Sequence, residues 1–181
     1  VAEMGQTVPG VSGCTYGGFP TLIGFNNAGQ LAFLAETSSC NAGRSLFLFD
    51  GTDVHFVAKS GDGFGLVTLS PANYGVSYAF NGAGQVAFKT NTARGTLGIW
   101  IGDASGVSTK LMRPGEATGI EGWGDYGTPS LRGFNDSGEV LFDCNTTSGP
   151  GHALFLKKLG DAVPKVVFSR GQSGGSEGNF D

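Results

Sequence analysis

One pattern, met three times, limits what this chain can fold into more than any other feature. FNNAGQLAF spans 25–33, FNGAGQVAF spans 80–88 and FNDSGEVLF spans 134–142, so Asn26, Asn81 and Asn135 lie 55 and 54 residues apart. An apolar run follows each copy: SLFLF at 45–49, LGIWI at 97–101 and ALFL at 153–156. An extended stretch then ends in a small turn, as VAKSGD at 57–62, LMRPGE at 111–116 and VVFSRGQ at 166–172. Repetition at such a period marks architectures in which each copy is one supersecondary unit that buries its faces against its neighbours. Approximate units of a single repeat domain run over 7–62, 63–116 and 117–172, with 1–6 and 173–181 as partial-unit ends; VAEMGQ at 1–6 matches the closing element of a unit.

Each unit reads as four strands. Strand A ends at the Phe-Asn pair, over roughly 21–26, 75–81 and 130–135. Strand B is QLAFLAE, QVAFKTN or EVLFDCN, strand C is the LFLF-type run, and strand D precedes the Gly-acid or Gly-Gln turn. Between A and B stands Asn-x-x-Gly. The Asn side chain can close an Asx-turn there, and Gly29, Gly84 and Gly138 can take the left-handed conformation that a tight turn with a bulge demands. Along strand B, Leu31 and Phe33 share one face with their equivalents Val86, Phe88, Val140 and Phe142, while Ala32, Ala87 and Leu141 share the other. Both faces are apolar, as in strands covered on two sides by stacked sheets. The predicted fold is therefore all-β, a propeller-like array of three four-stranded antiparallel units. A β-trefoil or β-prism, also threefold, is the alternative.

Composition narrows the function classes. The 181 residues include 33 glycines, only 14% are charged, and the net charge is −4. There is too much apolar residue for a disordered tail, no electrostatic footprint for nucleic acid, and no apolar run of the ~18 residues that a membrane span needs. Three cysteines without a CxxC pair and two histidines speak against a zinc site, so no metal or cofactor is expected. The chain opens at Val1 rather than Met, which suggests removal of an upstream segment and fits secretion.

The triplicated segments resemble the NxxGxxxF tandem repeats of secreted bacterial surface proteins. Asn26-Gly29-Phe33, Asn81-Gly84-Phe88, Asn135-Gly138-Phe142 and Gly61-Asp62 match that pattern, whereas Gly115-Glu116 and Gly171-Gln172 depart slightly from it. The resemblance implies a β-propeller-like fold and an extracellular or cell-surface location, and it implies no catalytic residues.

Three units are too few to close a ring, since propellers close with about four to eight blades. An open arc leaves two apolar faces wet, and such patches mark association sites. The expectation is a non-enzymatic structural protein that self-associates through its sheet faces and by exchange of its N-terminal strand, into a closed oligomer, a filament or a surface layer. A secreted carbohydrate-binding module is the alternative. Tyr16-Gly17, Tyr74-Gly75 and Tyr126-Gly127 precede each strand A, with Trp123 nearby, and such rings can stack on sugars or else lock their own loops. The polar residues after the turn glycines (Gln6, Asp62, Glu116, Gln172) read as turn chemistry rather than a calcium ring. His55 and His152, and the carboxylates Glu3, Glu36, Glu121 and Glu139, show no spacing that marks a catalytic pair. Cys14 and Cys40 are disulfide candidates, and Cys144 is the odd thiol. Asn145-Thr146-Thr147 and Asn135-Asp136-Ser137 match glycosylation sequons.

Overall fold

A computed structural model describes residues 2–18, 20–39, 43–59, 77–90 and 97–171. Every regular element among them is a β-strand, and the strands form three antiparallel sheets of four or five strands. The first sheet holds β1 (Thr15–Tyr16), β2 (Thr21–Phe25), β3 (Leu31–Ser38), β4 (Gly43–Phe49) and β5 (Val54–Lys59). The second holds β6 (Tyr78–Phe80), β7 (Val86–Thr90), β8 (Gly98–Gly102) and β9 (Ser108–Met112). The third holds β10 (Ser130–Phe134), β11 (Glu139–Asn145), β12 (His152–Lys158) and β13 (Lys165–Ser169). Each sheet runs A–B–C–D in chain order, one sheet per repeat, and β1 adds a fifth strand beside β3.

The turns follow from the motif. Gly29, Gly84 and Gly138 have φ of +77°, +76° and +80°, a region closed to most residues with a Cβ. Asn26 Oδ1 accepts the amides of Ala28 and Gln30, both at 3.1 Å, and the same oxygen of Asn81 and Asn135 accepts from Gln85 and Glu139 at 2.8 Å. Register is preserved as well: Leu22 pairs with Phe33 just as Leu131 pairs with Phe142, each next to a bulge.

Packing between sheets is the expected two-faced kind. The face of the first sheet bearing Ala32, Leu34, Leu46 and Leu48 clusters with Tyr78, Val86 and Phe88 of the second. The reverse face of the second, with Ala87, Ile99 and Ile101, clusters with Leu131, Val140, Phe142 and Phe155 of the third. Each unit thus lays its Phe face on the Ala face of the unit before it. The first strands of successive units lie against one another, β2 on β6 and β6 on β10.

Residues 2–17 depart from expectation. No strand occurs over 2–6. Instead Gly5 N–H donates to Tyr16 O at 2.8 Å, Thr7 bridges Thr15, and Tyr16 pairs with Thr37. This segment folds onto the Phe face of its own first unit, where Val8, Cys14 and Tyr16 cluster with Phe33, Ala35 and Phe47. Burial of that face is the physical reason, since an isolated strand D without A–C partners would cover nothing.

Candidate functional site

The three repeat asparagines form the most organised polar feature of the molecule. An Asx-turn uses only the oxygen of the side chain, leaving two amide hydrogens. Asn26 Nδ2 donates to its own Gln30 Oε1 at 2.8 Å and to the backbone oxygens of Asn81 and Gly82 in the next unit, at 3.3 and 3.2 Å. Asn81 Nδ2 likewise donates to Gln85 Oε1 at 3.3 Å and to Asn135 O at 3.0 Å. Asn135 Nδ2 donates to Glu139 Oε2 at 2.8 Å, and its side chain is exposed while Asn26 and Asn81 are buried. The Gly82 amide donates to Asp136 Oδ1 at 2.5 Å, a second bond across that junction. The turns therefore form a ladder in which each unit donates to the one after it. They also line a cleft of about 600 Å³ with Phe25, Phe80 and Phe134.

The two ends of the array are unlike its interior. On the Phe face of the first unit, Leu22 is 59% exposed and Phe25 69%, whereas Leu131, the register equivalent of Leu22, is fully buried. Beside Leu22 lies an apolar hollow of about 190 Å³ lined by Ala2, Pro20, Leu31 and Phe33. At the other end, the Ala face of the third unit presents Leu141, Leu154 and Leu156, all half-buried. Their equivalents in the other sheets, such as Ala32, Leu46, Leu48, Ala87, Ile99 and Ile101, are all buried. Charge borders this second face: Arg132 pairs with Asp143, which also lies 3.2 Å from His152 Nε2.

The tyrosine loops serve the core. Tyr16 and Tyr126 are buried, each hydroxyl without a hydrogen-bond partner among the described residues, and burial raises both phenol pKa values. Each packs edge-on against a phenylalanine of strand C (Phe47 at 5.3 Å, Phe155 at 5.6 Å), which in turn stacks on the motif phenylalanine of strand B (Phe33, Phe142) at 5.4 Å. Trp123 is half-buried and edge-on to Phe155 at 5.9 Å. Of the two readings of these tyrosines, locking of their own loops fits Tyr16 and Tyr126, since rings sealed against a sheet offer no free face to a sugar. Tyr74 lies outside the described residues.

The remaining candidates have local roles. Glu116 pairs with Lys110 and accepts from the Arg113 amide at 2.9 Å, which closes its turn. Gln6 Oε1 accepts from the Glu3 amide at 3.1 Å, and Asp62 and Gln172 lie outside the described residues. Asp50 accepts from the amides of Thr52 and Asp53 and lies 2.7 Å from His55 Nε2; the two backbone amides, and then the histidine, hold its pKa down at about 2. Glu36 pairs with Arg44 at 3.7 Å. Among the described residues no three His, Cys, Asp or Glu side chains converge as a metal would require. Cys14 is buried and disulfide-bonded, Cys40 lies outside the described residues, and Cys144 is a free buried thiol whose pKa burial pushes up to about 12.

The turn hydrogen bonds between units were not read from sequence, although a signal existed. Asp would close the same Asx-turn as Asn, so three asparagines in three turns point to a use for the amide hydrogens. No helix among the described residues is long and apolar enough to cross a membrane. No family model matches this chain, and no curated protein or solved structure matches it either.

Proposed function

We propose that the chain is a non-enzymatic structural protein that self-associates through the unpaired faces at the two ends of a propeller-like array of sheets. One observation carries this reading. Leu22 is 59% exposed while Leu131, at the same register position of the same repeat, is fully buried beneath a neighbouring sheet. The half-buried Leu141, Leu154 and Leu156 at the other end are of the kind that buries such a face inside the chain. Fully burying an apolar side chain of this size is worth about 1.5–3 kcal/mol, so several together favour association. Strand exchange is not needed, because residues 2–17 are engaged with their own first unit. The triplicated motif and low charge fit a member of the NxxGxxxF repeat proteins working outside the cell or on its surface, where dense association meets little self-repulsion.

Sedimentation velocity across a concentration series, with electron microscopy of the same samples, tests the reading. Concentration-dependent growth into rings or filaments is expected. A species that stays monomeric up to the highest soluble concentration refutes it.

A further inference from the structure

We propose that copies join head to tail through their turns, Asn135 of one copy donating to the Asn26 turn of the next as the turns within a chain donate to each other. This rests on the self-association reading above and adds the register and polarity of the contact.

Continuity with the junctions inside the chain carries the argument. The first-to-second and second-to-third junctions are one interface made twice, with the amide of Asn26 or Asn81 donating forward onto the backbone of the next turn. Three further features mark the same interface, half-made, at each end. Asn135 is exposed and donates only to its own Glu139 among the described residues, so one amide hydrogen remains for a forward bond. The Asn26 carbonyl, which is the position that accepts in the later units, takes only the Gly29 amide among the described residues. Above the turn glycines the preceding unit supplies a side chain: a Cβ on Gly84 would lie 2.6 Å from Gln30 Oε1, and one on Gly138 would lie 3.9 Å from Gln85 Oε1. A Cβ on Gly29 would meet nothing within 4 Å. Glu139 holds the position of Gln30 and Gln85, so it supplies the missing cover when a second copy follows.

The occupant is thus a second copy of this chain, its first unit placed as a fourth unit would be. The Asp136 amide of the leading copy then meets the Asn27 side chain of the following one, as the Gly82 amide meets Asp136 within the chain. Leu141, Leu154 and Leu156 then cover Leu22, Phe25 and Leu31. The contact is heterologous, and it closes into a ring or runs on as a fibre according to the rotation per copy.

Two measurements on the full chain test this. Asn135→Asp keeps the oxygen that closes its own turn and removes the forward donor; Glu139→Gln, the residue of the other two units, is added to avoid facing carboxylates. The double variant should unfold at the wild-type urea concentration while its association constant falls roughly tenfold. Separately, Asn27→Cys and Asp136→Cys chains are mixed under mild oxidation. Covalent dimers should form in the mixture and not in either preparation alone, because at the equivalent positions inside the chain a Cβ on Gly82 would lie 2.9 Å from the Asp136 carboxyl carbon, the place a cysteine sulfur would take. A wild type that never associates overturns self-association and this inference with it. An associating wild type whose double variant associates equally well, or single-cysteine preparations that cross-link as efficiently as the mixture, overturn the register alone.

Discussion

The loop over 5–17 and the loop over 115–127 are the same object in two settings. Gly5 donates to Tyr16 O at 2.8 Å and Gly115 donates to Tyr126 O at 2.8 Å; Tyr16 donates to Gln6 O at 3.0 Å and Tyr126 donates to Glu116 O at 2.9 Å. Both end in a tyrosine that caps a stacked phenylalanine pair. Fastening is where they differ. The later loop is trapped between two sheets, with Trp123 and Tyr126 in the same core cluster as Ile99 and Met112 of the second unit. There the Asp125 amide donates to Thr147 Oγ1 at 2.8 Å, and Gly124 stands where the earlier loop has Cys14. Among the described residues no second sheet joins the cluster that holds the earlier loop, and a disulfide from buried Cys14 secures it. The same local hydrogen bonding thus carries a covalent tie where no second sheet among the described residues packs on it.

The largest expected effect contrasts equivalent leucines. Leu131→Ala should cost the isolated chain about 2–5 kcal/mol, because it leaves a cavity in a closed core. Leu22→Ala should cost well under half of that in dilute solution and should instead weaken association. Urea melts of the two variants at low concentration check this, and equal losses would break the contrast.

Reduction comes next. Breaking the Cys14 bridge should lower stability by about 2–4 kcal/mol and raise hydrogen exchange over 5–17 while leaving 115–127 protected. Uniform loosening of both loops would show that the tie does not act locally.

A smaller contrast concerns the asparagines. Asn81→Asp removes a buried donor to the Asn135 carbonyl and should cost about 1–3 kcal/mol. Asn135→Asp combined with Glu139→Gln should be nearly neutral in the monomer. Thermal melts at low concentration read the difference.

The smallest effect is a pH dependence at the first C–D hairpin. The Asp50 pKa is held down at about 2, below the usual ~3.9 of an unfolded aspartate, so its contribution is present above that unfolded value. It is lost as pH falls from roughly 4 towards 2. An Asp50→Asn variant should show a flatter stability profile in that window than the wild type.

Much of the fold was legible because the turns are short and their chemistry is local. Asn26, Gly29 and their equivalents determine a hairpin wherever they occur, and strands B and C follow within a residue or two, while strand D starts three residues before the expected stretch in the first two units. Apolar character on both faces of strand B also foretold sheets stacked on sheets. What escaped depends on position in the array rather than on residue type. For Tyr16 and Tyr126 the sequence left sugar stacking and loop locking both open, and the phenylalanine pair beneath each ring, distant in sequence, favours the second. Residues 2–6 carry the letters of a strand end but lack the rest of a sheet, so they turn back as a cover. Leu22 and Leu131 are the same letter at the same register, and only a neighbour separates them.

The one-way run of hydrogen bonds along the turns bears on how such a chain can change over generations. Both junctions share one bond, from an Asn side-chain amide to the next Asn carbonyl, so a duplicated or deleted module still meets a neighbour with the same donor and acceptor. Copy number becomes a variable that gene-level rearrangement can alter in single steps, with curvature and length following from the count.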